Sequence, residues 1–75
     1  MTDAERERLK RDFSYHAPKG DQQSRYEGLR GAGKDVASLI MVYCPDGRER
    51  SLAITKLEEA IMWANAAIAR GEADE

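Results

Sequence analysis

In MVYCPDGRERSLAI, Met41–Ile54, two helix-forming runs meet across four residues that neither run can absorb. Proline lacks a backbone N–H and pushes the residue before it out of helical geometry, so Cys44-Pro45 ends whatever precedes it. Asp46, followed three residues on by Glu49, has the spacing of a capping box, in which each side chain satisfies a backbone N–H at the start of a new helix. A link as short as CPDG leaves two long helices in an antiparallel hairpin.

Upstream, residues 22–43 carry Tyr26, Leu29, Gly33, Val36, Ile40 and Tyr43 at alternating spacings of three and four. That heptad-like stripe predicts a helix with one seam facing a partner. Glycine in a helix interior costs about 1 kcal/mol against alanine, so the three glycines here need a reason. Gly33 lies on the seam, where close packing of another backbone explains it. Gly28 and Gly31 lie off the seam and should be exposed or face a ligand. Downstream, residues 47–70 form the second arm, with Ala53, Ile54, Leu57, Ala60, Ile61, Ala64, Ala67 and Ile68 spread over more than one narrow stripe. Trp63 and Ala66 widen that surface. One partner helix cannot cover it, which predicts contacts between subunits, with Trp63 a candidate anchor and the small Ala64, Ala66 and Ala67 allowing close approach. Gly71 is a natural helix stop, and residues 71–75 should fray.

Before the hairpin, Thr2 and Glu5 form another capping-box pair, and Leu9 and Phe13 at i and i+4 give a short helix over residues 3–13 a minimal apolar face. Pro18, Gly20 and Asp21 end it in a polar loop, and Asp21 is placed to cap the next helix. The expected fold is all-α: a short N-terminal helix, then an antiparallel two-helix hairpin, within one domain of residues 1–75.

Composition narrows the functional classes. A chain of 75 residues makes one thin core, and proteins of this size usually add disulfides, metal or self-association. Cys44 is alone, which rules out an internal disulfide and suits a reducing compartment; with a single histidine there is no metal-ligand cluster. Self-association remains. With 12 basic and 14 acidic residues the net charge is −2, against the basic excess expected of a binder of long nucleic acid. No signal peptide and no apolar run of membrane length is present, so a cytosolic protein is expected.

GLRGAGKD, Gly28–Asp35, has the opening of a phosphate-cradling P-loop but fails as one. Asp35 stands where the Mg²⁺-holding hydroxyl should be, and the polar run before Gly28 cannot be a buried strand. No nucleophile–base pair appears elsewhere: His16 is the only imidazole, and Glu58 and Glu59 read as a solvated helix face. No enzyme activity and no cofactor are expected. The loop is more suggestive. Tyr15, His16 and Lys19 fall within five residues, and Arg25, Arg30 and Lys34 follow on the next helix, a set in which rings stack on bases and cations hold phosphate. The plainer readings stand beside this: Tyr15 as local packing, Arg30 as surface charge, and Arg70 as a cation complementing a helix C-terminus.

FSYHAPKGDQQSRYEGLRGAGKDVASLI, Phe13–Ile40, followed by ERSLAITKLEEAIMWANAAIAR, Glu49–Arg70, resembles the phage anti-CBASS sponge family of the second type, whose helical hairpin also occurs in anti-Thoeris sponges of the first type. With no further domain expected before the hairpin, the chain looks like the anti-CBASS form rather than the anti-Thoeris form. The resemblance implies a compact cytosolic homohexamer that sequesters cyclic oligonucleotide second messengers of bacterial CBASS immunity without cleaving them. By the same resemblance, Tyr15 stacks on a base of a cyclic dinucleotide, and Arg30 and Lys34 reach its phosphates or bases from another protomer. Arg70, with His16 as its partner, serves a separate cyclic trinucleotide pocket. The alternative is a non-catalytic helical hairpin, structural or interacting, whose seam binds a partner helix.

Overall fold

The computed structural model, which describes residues 1–73, turns the chain back on itself at Cys44–Gly47. Cys44 is extended, as the residue before a proline must be (φ −103°, ψ 134°), and its N–H closes on Ile40 O at 3.0 Å. Three helices result, with no strand among the described residues: α1 (Asp3–Asp12), α2 (Gln22–Tyr43) and α3 (Arg48–Gly71). α2 and α3 form the hairpin, while α1 lies outside it.

The caps follow the sequence only in part. At α1 the reciprocal box forms: Glu5 N donates to Thr2 Oγ1 at 3.1 Å, and Thr2 N to Glu5 Oε1 at 2.8 Å. The box expected of Asp46 and Glu49 does not. Gly47 takes the N-cap position with φ 151°, a backbone that side chains rarely adopt, and Asp46 Oδ1 accepts only the adjoining Gly47 N–H. Arg50 crosses the turn and donates to Met41 O and Cys44 O at 3.2 and 3.3 Å, placing a cation on the carbonyl end of α2. Asp21 sits at the N-cap of α2 without capping it; its carboxylate pairs with Arg25 instead.

The seam runs through Tyr26, Leu29, Gly33, Ala37 and Ile40 of α2 against Ile54, Leu57, Ile61, Ala64 and Ile68 of α3, all buried or half-buried. Gly33 is its tightest point. A Cβ built there would stand 2.9 Å from Ile61 Cγ1 and 3.1 Å from Cδ1, so absence of a side chain is what lets the helices meet. Gly28 and Gly31 have nothing within 4 Å of such a Cβ and are exposed. Val36 and Tyr43, expected on the seam, are exposed. So are Leu9 and Phe13, the expected apolar face of α1, the latter 84% accessible.

The open end of the hairpin is latched. Arg25 donates to Glu72 from both terminal guanidinium nitrogens, Nη2 at 2.6 and Nη1 at 2.7 Å, and the buried Gln22 adds a third donor to the same carboxylate at 3.0 Å. Of residues 71–75, expected to fray, Gly71 is the last residue of α3 and Glu72 carries these hydrogen bonds, while residues 74–75 lie outside the described residues. The Arg25 and Gln22 hydrogen bonds hold the Glu72 carboxyl at about 2, against an ordinary 4.5. A depressed carboxyl stabilises the fold above its unfolded value and loses that contribution as pH falls. Acidification from about pH 4.5 towards 2 should thus lower the melting temperature, and Glu72→Gln should lower it at neutral pH while flattening that acid response. Thermal melts by circular dichroism across the window check this. The pair is half-exposed, so added salt should shrink the difference.

Among the described residues no hydrophobic side chain is fully buried. Its accessible surface is 5959 Å², where a compact monomer of this mass would show about 4600 Å². The radius of gyration is 16.1 Å, against about 11 Å for a compact chain of this length. Phe13, Tyr15, Val42 and Tyr43 are each at least three-quarters accessible, and Trp63 is 55% accessible. Exposed apolar side chains of this number are the kind of surface that interaction sites present.

Candidate functional site

Two surface clefts contain the side chains that sequence singled out, and they share no residue. The first, about 670 Å³, lies between α1, the loop after it and the C-terminal end of α3. Tyr15 and His16 line it from the loop and Arg70 from α3, so residues 54 and more positions apart in the chain meet when the hairpin closes. Arg8, Lys10 and Arg11 of α1 add three more cations. Glu7 is a carboxylate on the same wall.

Local bonding fixes this cleft. His16 Nε2 lies 2.6 Å from Arg11 O. A carbonyl can only accept, so Nε2 carries the proton, and in the neutral ring Nδ1 is left as an acceptor. That bond ties the loop back on the end of α1. The Tyr15 ring stays 86% accessible beside it, an aromatic face open to stacking. Arg70 Nε stands 3.8 Å from Asp12 Oδ1, the ionic link between α3 and α1. Asp12 also receives Arg11 Nε at 3.0 Å and faces Arg8 Nε at 3.6 Å. The Arg11 hydrogen bond, helped by the charges of Arg11, Arg70 and Arg8 and opposed by desolvation, holds its carboxyl below the usual carboxylate range.

The second cleft, about 360 Å³, runs along the flank of the hairpin. Its floor is apolar, formed by Gly33, Ala37, Ile54, Leu57 and Ile61, and its rim carries Arg30 and Lys34 of α2 opposite Glu58 of α3. Arg30 and Lys34 are one turn apart and exposed, so both cations stand over the same apolar strip. An arrangement of this kind accepts a flat apolar body with an anionic edge. Tyr15 is not part of it. The residues assigned by resemblance to a dinucleotide are thus divided between the two clefts of one chain, whereas Arg70 and His16 lie together.

Nothing in the sequence around Arg8, Arg11 and Asp12 marks them as site residues. Within ERERLKRD, Glu5–Asp12, alternating charge is what any solvated helix face shows, and only the ion pair that Arg70 of α3 makes with Asp12 at the end of α1 marks these three.

Fold and clefts together define an all-α helical-hairpin protein with cation-edged surface clefts. The family model of the Acb2/Tad1 hairpin domain matches residues 5–69, and the chain belongs to that family. Membership implies, in general terms, a phage sponge for cyclic nucleotides. No curated protein and no solved structure was found to match the chain. No helix among the described residues is long and apolar enough to cross a membrane.

Proposed function

We propose that this chain is a phage anti-defence protein of the anti-CBASS type, which binds cyclic di- and trinucleotide second messengers in the cytoplasm of the infected bacterium and holds them uncleaved. The observation that carries the reading is the division of stacking and charged residues between two open clefts in a member of a cyclic-nucleotide sponge family. A cyclic dinucleotide has two bases and two phosphates related by near two-fold symmetry. Tyr15 from one protomer and Arg30 with Lys34 from another would meet such a ligand in matching pairs, with two copies of each cleft completing one pocket. Arg70 and His16, at the other end of the ligand range, would be repeated about a three-fold axis for a cyclic trinucleotide. The surplus apolar surface around Val42, Tyr43 and Trp63 supports assembly, and a homohexamer accommodates both kinds of axis.

Sequestration also explains why stacking and charge suffice. Capture needs complementary surface and phosphate donors, with no nucleophile or base to be poised.

Isothermal titration of the full chain, at a mass fixed by light scattering, tests the proposal. The panel is cyclic diadenylate, cyclic diguanylate, mixed cyclic guanylate-adenylate and cyclic triadenylate. Sub-stoichiometric binding to at least one of each ring size is expected, with ligand recovered intact by chromatography after denaturation. Absence of binding across the panel overturns the reading, and recovery of opened ligand replaces it with an enzyme. The other reading, a hairpin serving only as an interaction surface, draws on the same exposed Trp63 and Tyr43 and predicts assembly without ligand binding.

A further inference from the structure

Three guanidinium groups, from Arg8, Arg11 and Arg70, converge on the single Asp12 carboxylate at 3.6, 3.0 and 3.8 Å. One carboxylate has two oxygens and cannot neutralise three cations. Asp12 gives Arg11 its one hydrogen bond of good length and leaves the other two at ion-pair distance. Arg8, Arg11 and Arg70 also line the first cleft with Lys10 and His16, where Glu7 is the carboxylate among the described lining residues and Asp12 is not on the wall. The Asp12 side chain is 19% accessible, while those of Arg8 and Arg11 are 76% and 51% accessible. The anion is therefore inside and the cations outside. This is unlike an ordinary surface ion pair, whose charges balance and whose energy is small. Arg70 sits in the last turn of α3, where the helix carbonyls favour its charge and hold it in place. The cluster has the charge and fork geometry to take a second anion from the cleft side.

We propose that α1 is part of the ligand site: Arg8 and Arg11 bind a phosphodiester of the cyclic oligonucleotide beside Arg70, and Asp12 is the internal carboxylate that assembles these guanidinium groups and competes with that phosphate for them. The inference rests on the sponge reading and assigns α1 a positive role in it, with Asp12 opposing affinity. The Tyr15 ring, standing at the same cleft, would lie within reach of the base attached to that phosphate.

The test is titration of full-length variants with cyclic triadenylate, the ligand assigned to the cleft that Arg8, Arg11 and Arg70 line. Arg8→Ala with Arg11→Ala should weaken binding about tenfold or more, the loss of charge-assisted contacts to one phosphate. Asp12→Asn should strengthen binding about threefold, because the competing charge is removed at nearly constant shape. A gain in affinity cannot come from misfolding, so this second variant remains informative if the double variant loses helix content. Wild-type binding with the double variant unchanged within twofold, or with Asp12→Asn weakened, overturns the role of α1 and leaves the sponge reading standing. Absence of cyclic triadenylate binding by the wild-type chain overturns the role of α1, and absence of binding across the panel overturns both.

Discussion

Gly33→Val should melt well below the wild-type chain, while Gly28→Ala with Gly31→Ala should melt above it. All three glycines lie within α2, and on helix propensity alone any alanine should stabilise by about 1 kcal/mol. What separates them is the neighbour. At Gly33 the first added carbon already meets Ile61 Cγ1 at 2.9 Å, and Cγ1 is not the free end of a flexible side chain. Isoleucine in a helix is largely confined to one χ1 rotamer, so Ile61 cannot swing away cheaply. Valine adds two further methyl groups to the clash. Overpacking of this kind costs about 1–3 kcal/mol, and here it acts at the closest approach of α2 and α3, the two arms of the hairpin. In a chain of this size that is a large part of the total stability, corresponding to a fall of roughly 4–24 °C in melting temperature. Gly28 and Gly31 have open space around them, and each substitution should add about 0.5–1 kcal/mol by reducing the freedom of the unfolded chain. Thermal melts by circular dichroism compare the variants directly. A Gly33→Val chain that melts at or above wild type would contradict the assigned close contact. Ile61→Ala in the Gly33→Val background should recover part of the loss, since the two side chains compete for one space.

The same contact shows how much of the fold the sequence carried. Cys44-Pro45 and the three-four spacing of Tyr26, Leu29, Gly33 and Ile40 are local features, and both appear where the sequence places them. The strict heptad then fails at Val36, which is 44% accessible, while Ala37 takes the seam position. A straight helix turns every 3.6 residues and drifts away from a 3.5-residue stripe, so after Gly33 the contact moves one position along. The capping box at Asp46 and Glu49 had the right letters, but Gly47 between them adopts a backbone that directs the chain differently, and Arg50 supplies the cap to α2. The Glu72 latch and the Arg70–Asp12 link join residues about 50 or more positions apart. Each such residue looks locally like any charged residue on a helix, and nothing in its neighbourhood names a partner. Tyr15, His16 and Arg70 were found as residue types suited to bases and phosphates. That His16 and Arg70 share a cleft with Tyr15, and that Arg30 and Lys34 occupy another, depends on the closed hairpin and could not be read along the chain.

This division of residues makes a second large effect predictable. Tyr15→Ala with Arg30→Ala should reduce affinity for a cyclic dinucleotide by about a thousandfold or more. Stacking on an aromatic ring contributes about 1–3 kcal/mol per base, and a hydrogen bond to a charged group about 1.5–3 kcal/mol. In a two-fold symmetric pocket each substitution removes its contact twice, so even the low end of these values reaches that factor. Stability should change little, because Tyr15 is 86% accessible and Arg30 is exposed. Comparison of single variants then separates the pockets. Arg30→Ala should spare cyclic triadenylate, and Arg70→Ala should spare the dinucleotides, since the two arginines line different clefts. Tyr15 is the informative case, because it stands with His16 and Arg70 while its assigned ligand belongs with Arg30 and Lys34. If Tyr15→Ala weakens only dinucleotides, its ring leaves its own cleft to complete the flank of another protomer. If it weakens only cyclic triadenylate, the ring serves the cleft it lines, and the dinucleotide pocket must find its stacking face among other exposed rings such as Tyr43 or Trp63. Titrations with both ring sizes, on variants that keep the wild-type mass and helix content, decide between these outcomes. Unchanged affinity for both would remove Tyr15 from the site altogether.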